Sequence, residues 1–251
     1  MVGLLTPADM IAVGRETGSV LLFLLGMMII SIVLEQAGVF RWAAYYAVQA
    51  SWGVGQRLLI DVFLLGAIVT ALLSLDVTVI ILTPVIHAAV ATLGSDPLPY
   101  LYACAFVVNT GSLVFPTSNL TNLIITDRLG VPFSLFTLEM ALPNAAAVVA
   151  NILVFLWLFR DQLRDRLPQV ARPDAGALQA SFRGALIVAG LALAGIFLSG
   201  LAGRPLWPVA LAGATVAVVV AVSARAGTVQ GIGFHGAYLV HAPPAITPAS
   251  V

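Results

Sequence analysis

The sequence predicts an all-α membrane protein, a polytopic helical bundle that contains a hairpin and a broken transmembrane helix. Three observations carry that prediction. The 251 residues are 61% hydrophobic and only 9% charged, against about 45–50% and about 25% in an average soluble domain. The apolar residues gather into runs long enough to cross a bilayer core of roughly 30 Å, which takes about 20 residues of helix. Two of those runs are interrupted, at Ser74-Leu75-Asp76 and between Gly111 and Ser118.

Taken in order, residues 18–36 ("GSVLLFLLGMMIISIVLEQ") form a first span. Residues 38–52 mix Arg41 and Gln49 with Phe40, Trp42, Tyr45, Tyr46 and Trp52, the composition of a helix lying in the membrane interface. Residues 57–93 are one apolar stretch broken only at Ser74-Leu75-Asp76. It is too long for one span and has almost no polar turn for two independent ones, so it reads as a hairpin of two helical arms. Residues 98–126 and 133–159 are two further spans, the first broken around Pro116. A charged linker, 160–183, is expected to be a solvated tether that pairs its arginines with Asp161, Asp165 and Asp174. Residues 184–201 and 206–222 make a closing pair within 184–225, and the Gly- and Pro-rich tail 226–251, with His235 and His241, cannot span as a helix. It reads as a truncated or frame-shifted end.

The opening "MVGLLTPADMIAVGRETGS" places Pro7, Asp9, Arg15 and Glu16 early. It lacks the basic start of a secretory leader, so no cleavable leader is expected. The single cysteine, Cys104, leaves no internal disulfide and no CxxC motif. All eleven basic residues are arginine and the net charge is zero, which gives nucleic acid little to bind. Arg41, Arg57, Arg160, Arg164, Arg166, Arg172, Arg183 and Arg225 fall on one side of the predicted spans, and Arg15, Arg128 and Arg204 on the other. The positive-inside rule then makes the linker 160–183 cytoplasmic, in a multi-pass inner-membrane protein.

Lipid offers no hydrogen bonds, so non-helical backbone survives at membrane depth only inside protein or beside a watery cavity. Two such breaks, with Pro116 unable to donate a backbone N–H and Thr83-Pro84 able to bend the outgoing arm, match the discontinuous helices of secondary transporters. Asp76, at the hairpin tip, is the leading intramembrane acid and a candidate for proton or sodium coupling, with Ser74, Thr78 and Asn109 beside it. Ser112, Thr117, Ser118, Asn119, Thr121 and Asn122 are candidate substrate ligands, although each is also of the type that glues helices together. Asp61, Glu35 and Glu139 fit structural or interface positions, and His87 fits a packing histidine with a proton relay as the rival reading. Asn144 and Asn151, seven residues apart on one helix face, are placed to hydrogen-bond the broken span.

"SIVLEQAGVFRWAA", "LLSLDVTVIILTP" and "NTGSLVFPTSNLTNLI", followed by a span ending in "LFRDQL", resemble the arsenical pump membrane protein family (ArsB-type arsenite efflux carriers) of the ion transporter superfamily. The resemblance runs from about Asp9 to about Val222. It implies two inverted repeats whose hairpins and broken helices meet at a midplane site, and export of arsenite or antimonite driven by the proton gradient or an arsenite-stimulated ATPase. The family's hairpin-tip Asn-Asp-Gly falls on Leu75-Asp76-Val77, keeping only the acid. A family Asp falls on Asn109, and the Ser-Asn-Leu-x-Asn element on Ser118 to Asn122. Residues 1–159 correspond to one core repeat and 184–225 to helices opening a second, so the resemblance implies a homodimer or second-half subunit to complete the site.

The function expected is export of arsenite, antimonite or a related small oxyanion. With Cys104 as the lone thiol, recognition would run through hydrogen bonds rather than three thiolates. A Na⁺/H⁺ antiporter or a dicarboxylate carrier is the alternative within transport, and a non-transporting membrane subunit or truncated remnant the alternative outside it. No enzyme activity, cofactor or metal site is expected: an intramembrane aspartyl protease needs two facing acids, and Asp76 has neither a Gly-x-Gly-Asp context nor an evident partner.

Overall fold

The computed structural model describes residues 7–164, 166–168 and 179–229. The expectations for Asp165, Arg172, Asp174, His235 and His241 lie outside the described residues. Among the described residues the chain is helical, with six stretches long and apolar enough to cross a membrane: Thr17–Gln36, Gly55–Leu72, Leu75–Thr92, Phe133–Leu158, Phe182–Leu201 and Trp207–Ala224. It is an integral multi-pass membrane protein.

Helix α1 (Pro7–Gln36) begins earlier than hydropathy alone suggests, because Pro7, with its fixed φ and missing donor, suits a first helical turn. It ends where Gly38 turns the chain at φ 78°, a left-handed conformation open to glycine without a Cβ clash. Helix α2 (Val39–Ala50) buries Phe40, Ala44, Ala47 and Val48 on one face. That spacing of four, three and one makes a helical stripe, and Arg41, Trp42, Tyr46 and Gln49 face outward.

The hairpin is present. Helix α3 (Gly55–Leu72) climbs to the tip, and the return arm starts with the short α4 (Leu75–Val77), widens into a π-helix over Thr78–Leu82 and continues as α5 (Thr83–Thr92). Pro84 explains the widening, since it cannot donate to the carbonyl four residues back and its ring crowds that carbonyl. At the end of this turn the Thr78 carbonyl accepts from both the Thr83 N–H and the Thr83 hydroxyl, the latter at 3.0 Å. The next span divides into α6 (Leu98–Thr110), two 3₁₀ turns at Gly111–Leu113 and Pro116–Ser118, and α7 (Leu120–Leu129). Helix α8 (Phe133–Leu158) crosses without interruption despite Pro143, and α9 (Gln179–Leu201) and α10 (Trp207–Val229) form the closing pair.

Two packed groups result. Helix α3 lies against α6 and α8, while α1 lies against α10, which in turn lies against α9. Edge-on rings link the first group: Phe63 and Phe106 each meet Phe155 of α8, at 5.2 and 5.1 Å between centroids. Small residues close the second, as lipid-facing helices have no hydrophobic drive to associate and rely on close approach. A Cβ on Gly26 would lie 2.8 Å from the carbonyl carbon of Ala210.

The start of the linker differs from the expected tether. Leu163 and Leu167 are buried, the Leu167 N–H donates to the Gly53 carbonyl at 2.9 Å, and Arg166 forms a backbone bridge with Val54. The segment therefore docks on the turn between α2 and α3, where glycine backbones at 53 and 55 leave room for it. Its charges behave as expected only locally, with Asp161 3.6 Å from Arg160 and 3.5 Å from Arg164 on an exposed surface.

Gly26→Leu is expected to lower the stability of the detergent-solubilised chain by about 1–3 kcal/mol, the usual cost of overpacking. Thermal unfolding of this variant beside Gly14→Leu, whose Cβ meets nothing within 4 Å, measures it.

Candidate functional site at the two breaks

The first break follows from helix ends. Helix α3 makes its last bond where Leu73 N–H meets the Val69 carbonyl at 2.9 Å. Ser74 then takes φ 155° and ψ 167°, a region sparsely used by residues other than glycine. Asp76 sits in the first turn of the new helix, where the helix dipole favours an anion. Below it the buried hydroxyls of Thr70 and Thr78 bond across the two arms at 2.7 Å.

The second break follows from Pro116. In an unbroken helix the Ser112 carbonyl would accept from the N–H of residue 116, and proline has none. Asn122 supplies the missing donor: its Nδ2 lies 2.8 Å from the Ser112 carbonyl and 3.4 Å from that of Phe115. Asn119 caps α7 by accepting from the Thr121 N–H at 2.9 Å. Ser112 donates to the Asn109 carbonyl at 2.9 Å.

The two breaks meet. Ser118 Oγ donates to the Ala71 carbonyl at 2.7 Å, one of the carbonyls that the end of α3 leaves without a helical partner. Close backbone approach allows this contact: a Cβ on Gly111 would lie 3.0 Å from Ala67 Cα, and one on Gly66 would lie 2.5 Å from Val107 Cγ1. On the other flank Asn151 Nδ2 donates to Thr110 Oγ1 at 3.0 Å, the bond to the broken span expected of it. Asn144 Oδ1 is buried with no hydrogen-bond partner.

The candidate residues thus divide. Ser74, Thr78, Ser112, Thr117 and Ser118 are buried; Asn122 donates to the Ser112 and Phe115 carbonyls, the Ser118 N–H donates to that same Phe115 carbonyl, and the Ser118 hydroxyl carries the cluster on to the hairpin arm at Ala71. Asp76, Asn109 and Thr121 are exposed on the surface of this chain. Glu139 and His87 are likewise exposed, and Glu35 is half-buried at the end of α1. Asp61 has one buried oxygen without a partner, with Arg57 one turn earlier on the same helix and held over the Trp52 ring at 5.6 Å. Sequence reasoning missed Thr70, although a hydroxyl eight residues before Thr78 across a hairpin tip is a readable signal.

A cavity of about 420 Å³ adjoins the second break on its α7 side, between α1, the start of α8 and the α9–α10 turn. Pro116, Phe133, Asp127 and Arg204 are among the residues that line it.

Asn122→Leu removes the donor and leaves the Ser112 carbonyl unpaired in apolar surroundings, so a loss of about 1–3 kcal/mol is expected. Thr121→Ala, on the exposed side, is expected to change stability by no more than about 0.5 kcal/mol. Chemical denaturation of both variants in the same detergent makes the comparison.

The citrate transporter family model (CitMHS) matches residues 1–240. The arsenical pump membrane protein of Escherichia coli K12 is 30% identical over 225 residues, covering 87% of this chain and 52% of that protein. That of Yersinia enterocolitica is 32% identical over 203 residues, covering 78% of this chain and 47% of the relative. An uncharacterized transporter of Mycobacterium tuberculosis H37Rv is 33% identical over 154 residues, 60% of this chain and 36% of the other. The chain spans about half the length of the arsenical pump relatives it matches. By the family match, which extends over both breaks, the chain belongs to the citrate transporter family.

Proposed function

We propose that the chain is one core of a secondary transporter that exports arsenite or antimonite as small hydroxylated solutes. The observation that carries this reading is the chemistry of the breaks: residues 73–78 and 111–122 hold hydroxyls, amides and one carboxylate, and no basic side chain. Such a set suits a neutral polyhydroxy solute, because an anion of high charge brought to membrane depth needs a paired cation. The likeness to arsenical pump membrane proteins supports the same substrate class.

Asp76 is the coupling group in this scheme. A carboxylate at the N-terminal turn of a half-helix can take a proton on one side of the membrane and release it on the other as access alternates. Ser118 and Asn122 hold the loop in shape through the bonds that engage them, and Thr117, Asn119 and Thr121 offer further polar groups to the solute. A second copy of the chain or a second-half subunit completes the site against the exposed Asp76, Asn109 and Thr121. The linker side is the cytoplasmic face of the inner membrane, by the arginine asymmetry.

A carboxylate carrier is the second reading, favoured by the citrate transporter family match. Purified chain in liposomes separates the two. Arsenite flux that falls at least tenfold in Asp76→Asn supports the first reading; citrate flux without arsenite flux replaces it with the second. Equal arsenite flux in native protein and Asp76→Asn removes Asp76 from coupling.

A further inference from the structure

Three phenylalanines from three different elements meet beside the cavity, and one of them, Phe133, lines it. Phe115 stands between the two 3₁₀ turns of the break, Phe133 opens α8 and Phe197 lies on α9. The centroid of Phe197 is 4.7 Å from that of Phe115 and 5.6 Å from that of Phe133, both edge-on, and Phe115 stacks on Phe133 at 6.1 Å. Helix α9 makes room for the cluster, since a Cβ on Gly200 would lie 2.7 Å from Phe133 Cδ2.

We propose that the cavity is the entrance chamber to the break for a small neutral hydroxylated solute, and that Phe115, Phe133 and Phe197 are its inner gate. This rests on the transport reading above. Pro116 and Phe133 line the chamber, while Thr117 and Ser118, the residues that follow Pro116 in the chain, are buried. Asp127 and Arg204, both lining the chamber, carry opposite charges, so it favours neither anion nor cation on net charge. Aromatic edge and face contacts close a path without hydrogen bonds, and rings can part without leaving a buried polar group unpaired. The cluster also joins the two packed groups of helices: Phe197 belongs to the group of α1, α9 and α10, and Phe115 to the break held by α3. A shift of one group against the other opens the seal.

The test is thiol accessibility in sealed membranes, with a small membrane-impermeant reagent added from the side of the α9–α10 turn. Leu123→Cys reports on the chamber and Thr117→Cys on the region behind the rings, while the buried native Cys104 reports unfolding. Leu123→Cys is expected to label quickly and Thr117→Cys at least tenfold more slowly. Adding Phe197→Ala is expected to remove most of that tenfold difference with Cys104 still unlabelled. If Cys104 labels in that variant, the milder Phe197→Leu is read in its place, with a smaller acceleration expected. An unlabelled Leu123→Cys, or a Thr117→Cys rate unchanged by the Phe197 substitution that keeps Cys104 protected, overturns the proposal. Labelling needs no transported solute, so absent arsenite flux and an absent gate are separate results.

Discussion

Inside a bilayer each backbone N–H and C=O must find its partner within the protein, and this constraint organises the chain. Pro116 and the end of α3 both leave carbonyls without helical donors. The structure answers with side chains that lie far away in sequence or just beyond the break: Asn122 serves the Ser112 carbonyl, and Ser118 serves that of Ala71. Once those bonds exist, the loop from Gly111 to Asn119 has a fixed shape and the hairpin tip is tied to it. The same residues therefore determine both the stability of the break and the polar surface it offers.

Packing makes those bonds reachable. Gly66 and Gly111 let α3 approach α6 and the 3₁₀ turn at distances that any larger side chain would prevent, so the hairpin arm delivers Ala71 to Ser118. The threonine pair across the tip, Thr70 and Thr78, then bonds the arms to each other. These two hydroxyls satisfy each other inside the protein, the usual way polar groups hold membrane helices together. Asp76, Asn109 and Thr121 remain outward at the breaks.

Much of this architecture was legible in the sequence. Hydropathy and length locate the spans, and Pro116 and Ser74-Leu75-Asp76 mark the breaks because each interrupts an otherwise continuous apolar run. Asn151 was readable as a partner of the broken span because it shares a helix face with Asn144. Other features were hidden for physical reasons. That Ser118 serves α3, or that Asn122 replaces the donor lost at Pro116, depends on tertiary contacts that no local pattern encodes. The meeting of Phe115, Phe133 and Phe197 is equally invisible in an apolar sequence, where aromatic residues are common. The docking of Leu163 and Leu167 was obscured by the arginines and aspartates around them, which read as a solvated segment.

The unwound main chain at the breaks is held in shape by side-chain hydrogen bonds, Ser118 to Ala71 and Asn122 to Ser112, in place of helical backbone bonds. Hydrogen exchange of the chain in lipid nanodiscs, read by mass spectrometry, tests it most directly. Amides from Gly111 to Asn119 and around Ser74 are expected to exchange at least tenfold faster than those in the middle of α3, α6 and α8. Protection at the breaks equal to that of these helices would contradict the account.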